Sequence, residues 1–294
     1  MNSNTDHQPV VVLGAARSGT KLLRSIIAAA PEYSEVPHDV NYIWRYAALA
    51  TPDDVIKSWS ANDRKRAFIH KQLCRSAGLG REDERSFVEK TVSNTLRLPF
   101  VHRILPDAKY VHLIRDGLEV TESAMRCWQE PPDYRRLLSK LRAFPWLSCG
   151  GYVTAYARTL LKQAVSHNQR LPSWGPRYAG IDEDVKQESL AYVCARQWRE
   201  CVEMVLGDQH VVSEANWIEI RYEDLVNDPS AIARRLADFV GTKCRDRMIS
   251  HATKHVQKPT SSKVRHLSSE DLNTAHCIVD PLAERLGYAT RVAA

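Results

Sequence analysis

The sequence predicts an α/β fold, a central parallel sheet with helices on both faces. Two observations predict it. Short apolar, β-branched runs, of the kind buried on both faces of a sheet, recur as "PVVVLG" at 9–14, "SFVEKT" at Ser86–Thr91, "KYVHLIRD" at Lys109–Asp116 and "WIEIRY" at Trp217–Tyr222. Helical stretches lie between them, and strand–helix alternation closes into parallel pairs through crossover connections.

Each element has a local reason. The first strand is closed by Gly14, and a helix over Thr20–Ala30 follows until Pro31 ends it. The second strand precedes a short helix in "LRLPFVHRILP", with Pro99 near its start. The third strand runs straight into the helical stretch "LEVTESAMRCW". From Gln129 to about Val185 the alternation breaks, and prolines, aromatics and glycines cluster in "WQEPPDYRR", "FPWLSCGGY" and "LPSWGPRYAGID". This composition predicts a partly helical insertion over the sheet, not a second domain, so residues 1–294 are expected to form one domain. Regular structure resumes with the helix "SLAYVCARQWRECVEMVLG" and the fourth strand. A helix from about Pro229 to Val240 and a last one over Ser269–Leu286 complete the chain.

Composition bounds the function. A chain of 294 residues, 44% hydrophobic and 26% charged, is ample for a sizeable core and reads as an ordinary soluble protein. A net charge of +6 suits anionic ligands but is too small to indicate nucleic-acid binding. Seven cysteines without any C-x-x-C argue against a disulfide framework and a zinc site, and fit a reducing compartment. The start "MNSNTDHQ" lacks the basic and apolar regions of a secretory signal, and no run approaches membrane-span length. A cytoplasmic setting is expected.

The stretch "GAARSGTKLL" carries the chemistry. A strand, a glycine turn and a helix N-terminus direct backbone N–H groups at a tetrahedral anion. Gly14 and Gly19 have P-loop spacing, Ser18 and Thr20 add hydroxyls, and Arg17 and Lys21 add positive charge. The fold expectation becomes a P-loop NTPase-like three-layer architecture. Yet Thr20 precedes Lys21, whereas the nucleotide-hydrolysing loop wants lysine and then Ser or Thr. The neighbouring strands also lack an apolar run ending in a magnesium carboxylate: Glu89 and Asp116 are the candidates, and Arg115 interrupts the second. The loop is expected to bind its anion without a metal. Arg115 stands at a strand end, and Ser123, eight residues on, lies about two helical turns into the next helix. The two can converge on one phosphate at the carboxyl edge of the sheet.

These residues resemble the sulfotransferases that use 3′-phosphoadenosine 5′-phosphosulfate (PAPS), of the bacterial and carbohydrate-directed type. The resemblance rests on Arg17-Ser18-Gly19-Thr20, on Arg115…Ser123, on "IRYEDLVNDP" at Ile220–Pro229, and on "EKTVSNTLRLPFVHRILPDAKYVHLIRDG". It implies that the loop holds the 5′-phosphosulfate and that Arg115 and Ser123 hold the 3′-phosphate. It places Tyr222 near the adenine. It implies a further contact in the basic stretch "KPTSSKVRHLSSEDL", with Ser262, Lys263 and Arg265 as candidates.

Sulfuryl transfer puts negative charge on the leaving 5′-phosphate oxygen. Arg17 takes the family's position for the stabilising cation, with Thr20 and Lys21 sharing the load; an arginine cannot donate a proton at neutral pH. The acceptor hydroxyl needs a base, and in the family this residue follows the helix after the loop. The matching place, past Ala30-Pro31, holds His38, whose ordinary pKa lies near neutrality. Asp39 is expected to orient it or replace it, with Glu35 shortly before. Trp128, Tyr134, Trp146, Tyr152, Trp174 and Tyr178 suit a small local core or stacking on sugar rings, and "LPSWGPRYAG" is expected to form an acceptor-side lid. The resulting expectation is sulfuryl transfer from PAPS to a hydroxyl on a carbohydrate or glycan-related acceptor. The alternatives are a kinase-like phosphoryl transferase with a degenerate loop and an inactive PAPS- or nucleotide-binding protein.

Overall fold

The structure, a computed structural model, describes residues 7–46, 51–129, 174–257 and 267–289. Its centre is a five-stranded sheet of β1 (Val10–Leu13), β2 (Tyr33–Glu35), β3 (Ser86–Glu89), β4 (Lys109–Ile114) and β5 (Trp217–Arg221), in the order β2-β3-β1-β4-β5. All pairings are parallel, with Val12 opposite Val111 and His112 opposite Glu219. The α/β expectation holds. β1 lies central with β3 on one side and β4 on the other, so the chain reverses its direction of travel across the sheet at β1. Crevices at the carboxyl ends of such strands are where open α/β sheets bind ligands.

The side-chain period of two sorts each strand between two cores. Val10 and Val12 of β1 face a cluster with Leu23 and Ile26 of α1 (Thr20–Ile27), Leu236 of α9 (Pro229–Val240) and Met248 of α10 (Arg245–His255). Val11 and Leu13 face the opposite cluster, with Ile69 and Leu73 of α3 (Asp63–Ser76) and Phe100 of α4 (Leu98–Ile104). A third cluster joins α5 (Gly117–Gln129), α7 (Leu190–Asp208) and α11 (Ser269–Arg285) through Val120, Trp198 and Val279. Among the described residues, the remaining α-helices are α2 (Asn41–Trp44), α6 (Ile181–Gln187) and α8 (Tyr222–Asn227).

Several elements differ from expectation. The helix after the loop stops at Ile27, short of Ala30, and Tyr222 opens α8 instead of closing the last strand. β2, α2, α3 and α10 were not expected. β2 is only three residues with one of them buried, which leaves too little periodicity to read. α3 is capped by Asn62, whose side chain accepts from the Lys65 N–H, but its buried face is narrow and its surface is crowded with basic residues. The insertion expected at about 129–185 lies outside the described residues for 130–173. Among the described residues, no helix is long and apolar enough to cross a membrane.

Candidate functional site

The turn from β1 to α1 is built under tight constraint. A Cβ on Gly14 would meet the Leu113 carbonyl oxygen at 2.7 Å, so the turn presses directly on the backbone of β4. Arg17 adopts a left-handed φ of 73°, and Gly19, at φ 91°, caps α1. Left-handed backbone at a non-glycine residue is a strained state that surrounding structure must hold. Ser18 is 1% exposed, and its Oγ has no hydrogen-bond partner among the described residues. A buried hydroxyl left unpaired is costly, and a ligand that completes its hydrogen bonding removes that cost. Thr20 is buried and Lys21 exposed on the first turn of α1.

The second strand end meets this turn, because β1 and β4 are neighbours in register. Arg115, just past β4, donates from Nη1 to the Arg17 carbonyl at 3.0 Å. Its Nε and Nη2 both donate to Glu119 Oε2, at 3.2 and 2.7 Å. Its guanidinium carbon lies 4.2 Å from the ring centre of Tyr222, a cation–π distance. Arg17 in turn reaches across, its Nε donating to Ser123 Oγ at 3.0 Å. Sequence placed Arg17 with the leaving group and Ser123 with Arg115; the structure links all three in one chain of contacts. Tyr222, expected beside an adenine, lies against Arg115 and Gly19.

The start of α5 sits on a cluster of carboxylates. Asp116 Oδ1 accepts from the Glu119 N–H at 2.9 Å, and the Asp116 N–H donates to Glu223 Oε1 at 3.0 Å. The Tyr288 hydroxyl donates to Glu223 Oε2 at 2.9 Å. Burial raises the Asp116 carboxyl above its ordinary range, and the charges of Glu119 and Glu223 add to this against the N–H bonds it accepts.

His38 lies exposed in the turn between β2 and α2. Asp39 is engaged with the residues that follow β3. Its Oδ2 accepts from Lys90 Nζ at 2.6 Å and its Oδ1 from the Val92 N–H at 3.0 Å, so it balances a buried lysine. The reason is burial: Lys90 is 2% exposed, and a buried ammonium requires a counter-charge. Glu35 is also engaged, accepting from Arg24 Nε at 3.0 Å. Deeper still, Glu89 is fully buried and accepts from Trp44 Nε1 and Asn94 Nδ2, each at 3.1 Å; burial holds its carboxyl above the usual range.

Asp54 ties together the segments around α2 and α6. It is 1% exposed and accepts from Asn41, Arg45, Ser93 and the Arg177 N–H, tying the segment before α6 to α2. Burial favours its neutral form, but the Arg97 charge and these hydrogen bonds outweigh that and hold its carboxyl below the ordinary range. Of the aromatics expected near an acceptor, Trp128 and Tyr178 are buried in the third core cluster and Trp174 packs against it. Tyr134, Trp146 and Tyr152 lie outside the described residues, as do Ser262, Lys263 and Arg265. Glu119 and Glu223 were missed, although Asp116-x-x-Glu119 has the spacing of a helix capping box. Among the described residues, no group of three His, Cys, Asp or Glu side chains could hold a metal ion.

Known proteins give this arrangement its setting. The model of the sulfotransferase family matches residues 9–173 and 156–246. Sulfotransferase STF9 from Mycobacterium avium is similar in structure, with a TM-score of 0.52 at 12% identity, over 97% of this chain and 78% of that one. A sulfotransferase from Alicyclobacillus acidocaldarius aligns at a TM-score of 0.48 and 14% identity, over 97% of this chain and 98% of that one. Mouse sulfotransferase SULT7A1, complexed with PAP, aligns at 0.43 and 12%, over 92% and 77%. No curated protein matches the chain. The glycine turn, the β4 end and the parallel sheet all fall within the matched residues, and the chain belongs to the sulfotransferase family, enzymes of sulfuryl transfer to a hydroxyl-bearing acceptor.

Proposed function

We propose that the chain transfers a sulfuryl group from PAPS to a hydroxyl of a carbohydrate or glycan-related acceptor. The observation that carries the donor assignment is the buried, unpartnered Ser18 hydroxyl in a left-handed turn, beside two arginines linked across β1 and β4. A phosphosulfate fits that cradle: small, tetrahedral, anionic and served by N–H and O–H donors. PAPS supplies a sulfuryl group on a phosphate leaving group.

The chain's residues do the rest. Ser18, Gly19, Thr20 and Lys21 bind the 5′ end. Arg17 stabilises charge growing on the leaving oxygen and gives up no proton. Arg115 and Ser123 hold the 3′-phosphate, with Tyr222 backing Arg115. Ser262, Lys263 and Arg265 remain candidates for a further contact to the cofactor. His38 takes the proton from the acceptor hydroxyl. Asp39, next in the chain, serves this base indirectly, by fixing Lys90 and the Val92 N–H.

The phosphoryl-transfer alternative needs a carboxylate for magnesium at a strand end. Asp116 caps α5 and Glu89 is bonded to Trp44 and Asn94, so both candidates already have structural work. The test is thermal-shift titration with 3′-phosphoadenosine 5′-phosphate (PAP), AMP and ATP, followed by turnover with labelled PAPS and a panel of glycans. PAP should raise the midpoint most, by mass action. A larger shift with ATP and magnesium would overturn the donor assignment. Turnover on non-carbohydrate alcohols only would overturn the acceptor assignment.

A further inference from the structure

We propose that Glu119 is the positioning residue for Arg115, and that Glu223 frees it for that task. The inference rests on the proposed role of Arg115 toward the 3′-phosphate.

Asp116-Gly117-Leu118-Glu119 has capping-box spacing, and half of the box is formed: Asp116 Oδ1 accepts the Glu119 N–H at 2.9 Å. In a complete box the glutamate carboxylate would return to the N–H of Asp116. Here that N–H is already taken by Glu223 Oε1, at 3.0 Å, and Glu223 is itself fixed by the Tyr288 hydroxyl at 2.9 Å. The Glu119 carboxylate is therefore released from the helix end and closes on Arg115 Nε and Nη2. Glu223 and Tyr222 are adjacent in "RYEDL", so one segment caps α5 and backs the arginine.

The donor count decides what this does. A guanidinium has five N–H groups. Two go to Glu119 and one to the Arg17 carbonyl, which leaves one on each of Nη1 and Nη2. Those two suit paired oxygens of a phosphate. Glu119 occupies the Nε edge, so it orients the fork without filling it. Edge, carbonyl and ring contacts together hold the side chain before any ligand arrives, which lowers the ordering cost of binding.

The experiment compares PAP with AMP, which differ only in the 3′-phosphate, by calorimetric titration of wild type, Glu119→Gln, Glu223→Ala and the double variant. Midpoints of unfolding are followed alongside. Glu119→Gln should weaken PAP about tenfold and AMP by less than about twofold, since a charge-assisted bond is exchanged for a neutral one. The KM for PAPS should rise by more than kcat falls. Glu223→Ala lets the box close and should give the same selective loss. The double variant should lose no more than Glu119→Gln alone. Equal weakening of PAP and AMP, or tighter PAP binding by Glu119→Gln, would overturn the positioning role. If wild type binds PAP no better than AMP, or Arg115→Ala leaves their ratio unchanged, the 3′-phosphate assignment itself fails and the inference with it.

Discussion

Gly19 lies directly against the ring of Tyr222: a Cβ at Gly19 would stand 2.6 Å from Cδ2 and 2.7 Å from Cε2. Its φ of 91° adds a second demand for glycine. The phosphate turn and the segment after β5 are thus fitted to each other, and the same ring backs Arg115. Gly19→Ala should displace the ring and strain the turn, at about 1–3 kcal/mol of stability. PAP affinity should fall with it. Chemical denaturation and PAP titration check this, and wild-type affinity in the variant would show that the fit has no bearing on the site.

Arg115→Ala removes the proposed reader of the 3′-phosphate. PAP should weaken about ten- to a hundredfold, as for loss of a charged hydrogen bond of about 1.5–3 kcal/mol. Adenosine 5′-phosphosulfate, which lacks that phosphate, should weaken far less. Equal losses would mean that Arg115 serves only the turn, through the Arg17 carbonyl.

Asp116 offers a pH test. Its carboxyl is raised, by burial first and by Glu119 and Glu223 next. A raised carboxyl means that the folded state binds more protons than the unfolded chain, so stability falls as pH climbs from about 4 through the folded pKa. Asp116→Asn keeps a good helix cap and cannot ionise. The variant should therefore gain on wild type as pH rises across that window. Urea midpoints at a series of pH values measure the difference, and a gap that shrinks with rising pH would contradict it.

The contrast between legible and illegible parts has a physical basis. β1 is a continuous apolar run, β4 is buried along all but its first residue, and the glycine turn between β1 and α1 has fixed spacing, so sequence exposes them directly. β2, with one buried residue in three, offers no such pattern. The contacts that organise the site join distant positions: Arg17 with Ser123 across 106 residues, and Lys90 with Asp39 across 51. No local periodicity encodes such pairs. Asp39 reads as a partner for His38 because the two are adjacent in sequence; its bond to a buried lysine from the neighbouring strand end is not legible there. Glu119 was readable as a capping residue, but its release to Arg115 depends on Glu223, 107 residues from Asp116.

Turnover should persist in EDTA. The loop lacks a hydroxyl after its lysine, and Asp116 and Glu89 are engaged in capping and in the buried network. Activity that vanishes on chelation and returns with magnesium would restore the phosphoryl-transfer reading.

His38 and Asp39, adjacent in the chain, should fail in different ways. His38 is exposed in the turn that follows β2, so its removal breaks no buried packing. His38→Ala should leave the unfolding midpoint close to wild type and PAP binding nearly unchanged, while kcat falls about 10²–10⁴-fold, as for loss of a general base. Asp39 is the counter-charge of Lys90, which is 2% exposed, and also accepts the Val92 N–H. Asp39→Asn keeps a hydrogen-bond acceptor but strips the charge, and should cost about 1–3 kcal/mol of stability. Its activity loss should accompany that destabilisation and recover in part at lower temperature, which a missing base would not. If His38→Ala turns over normally while Asp39→Asn is stable but dead, the carboxylate is the base and Lys90 tunes it.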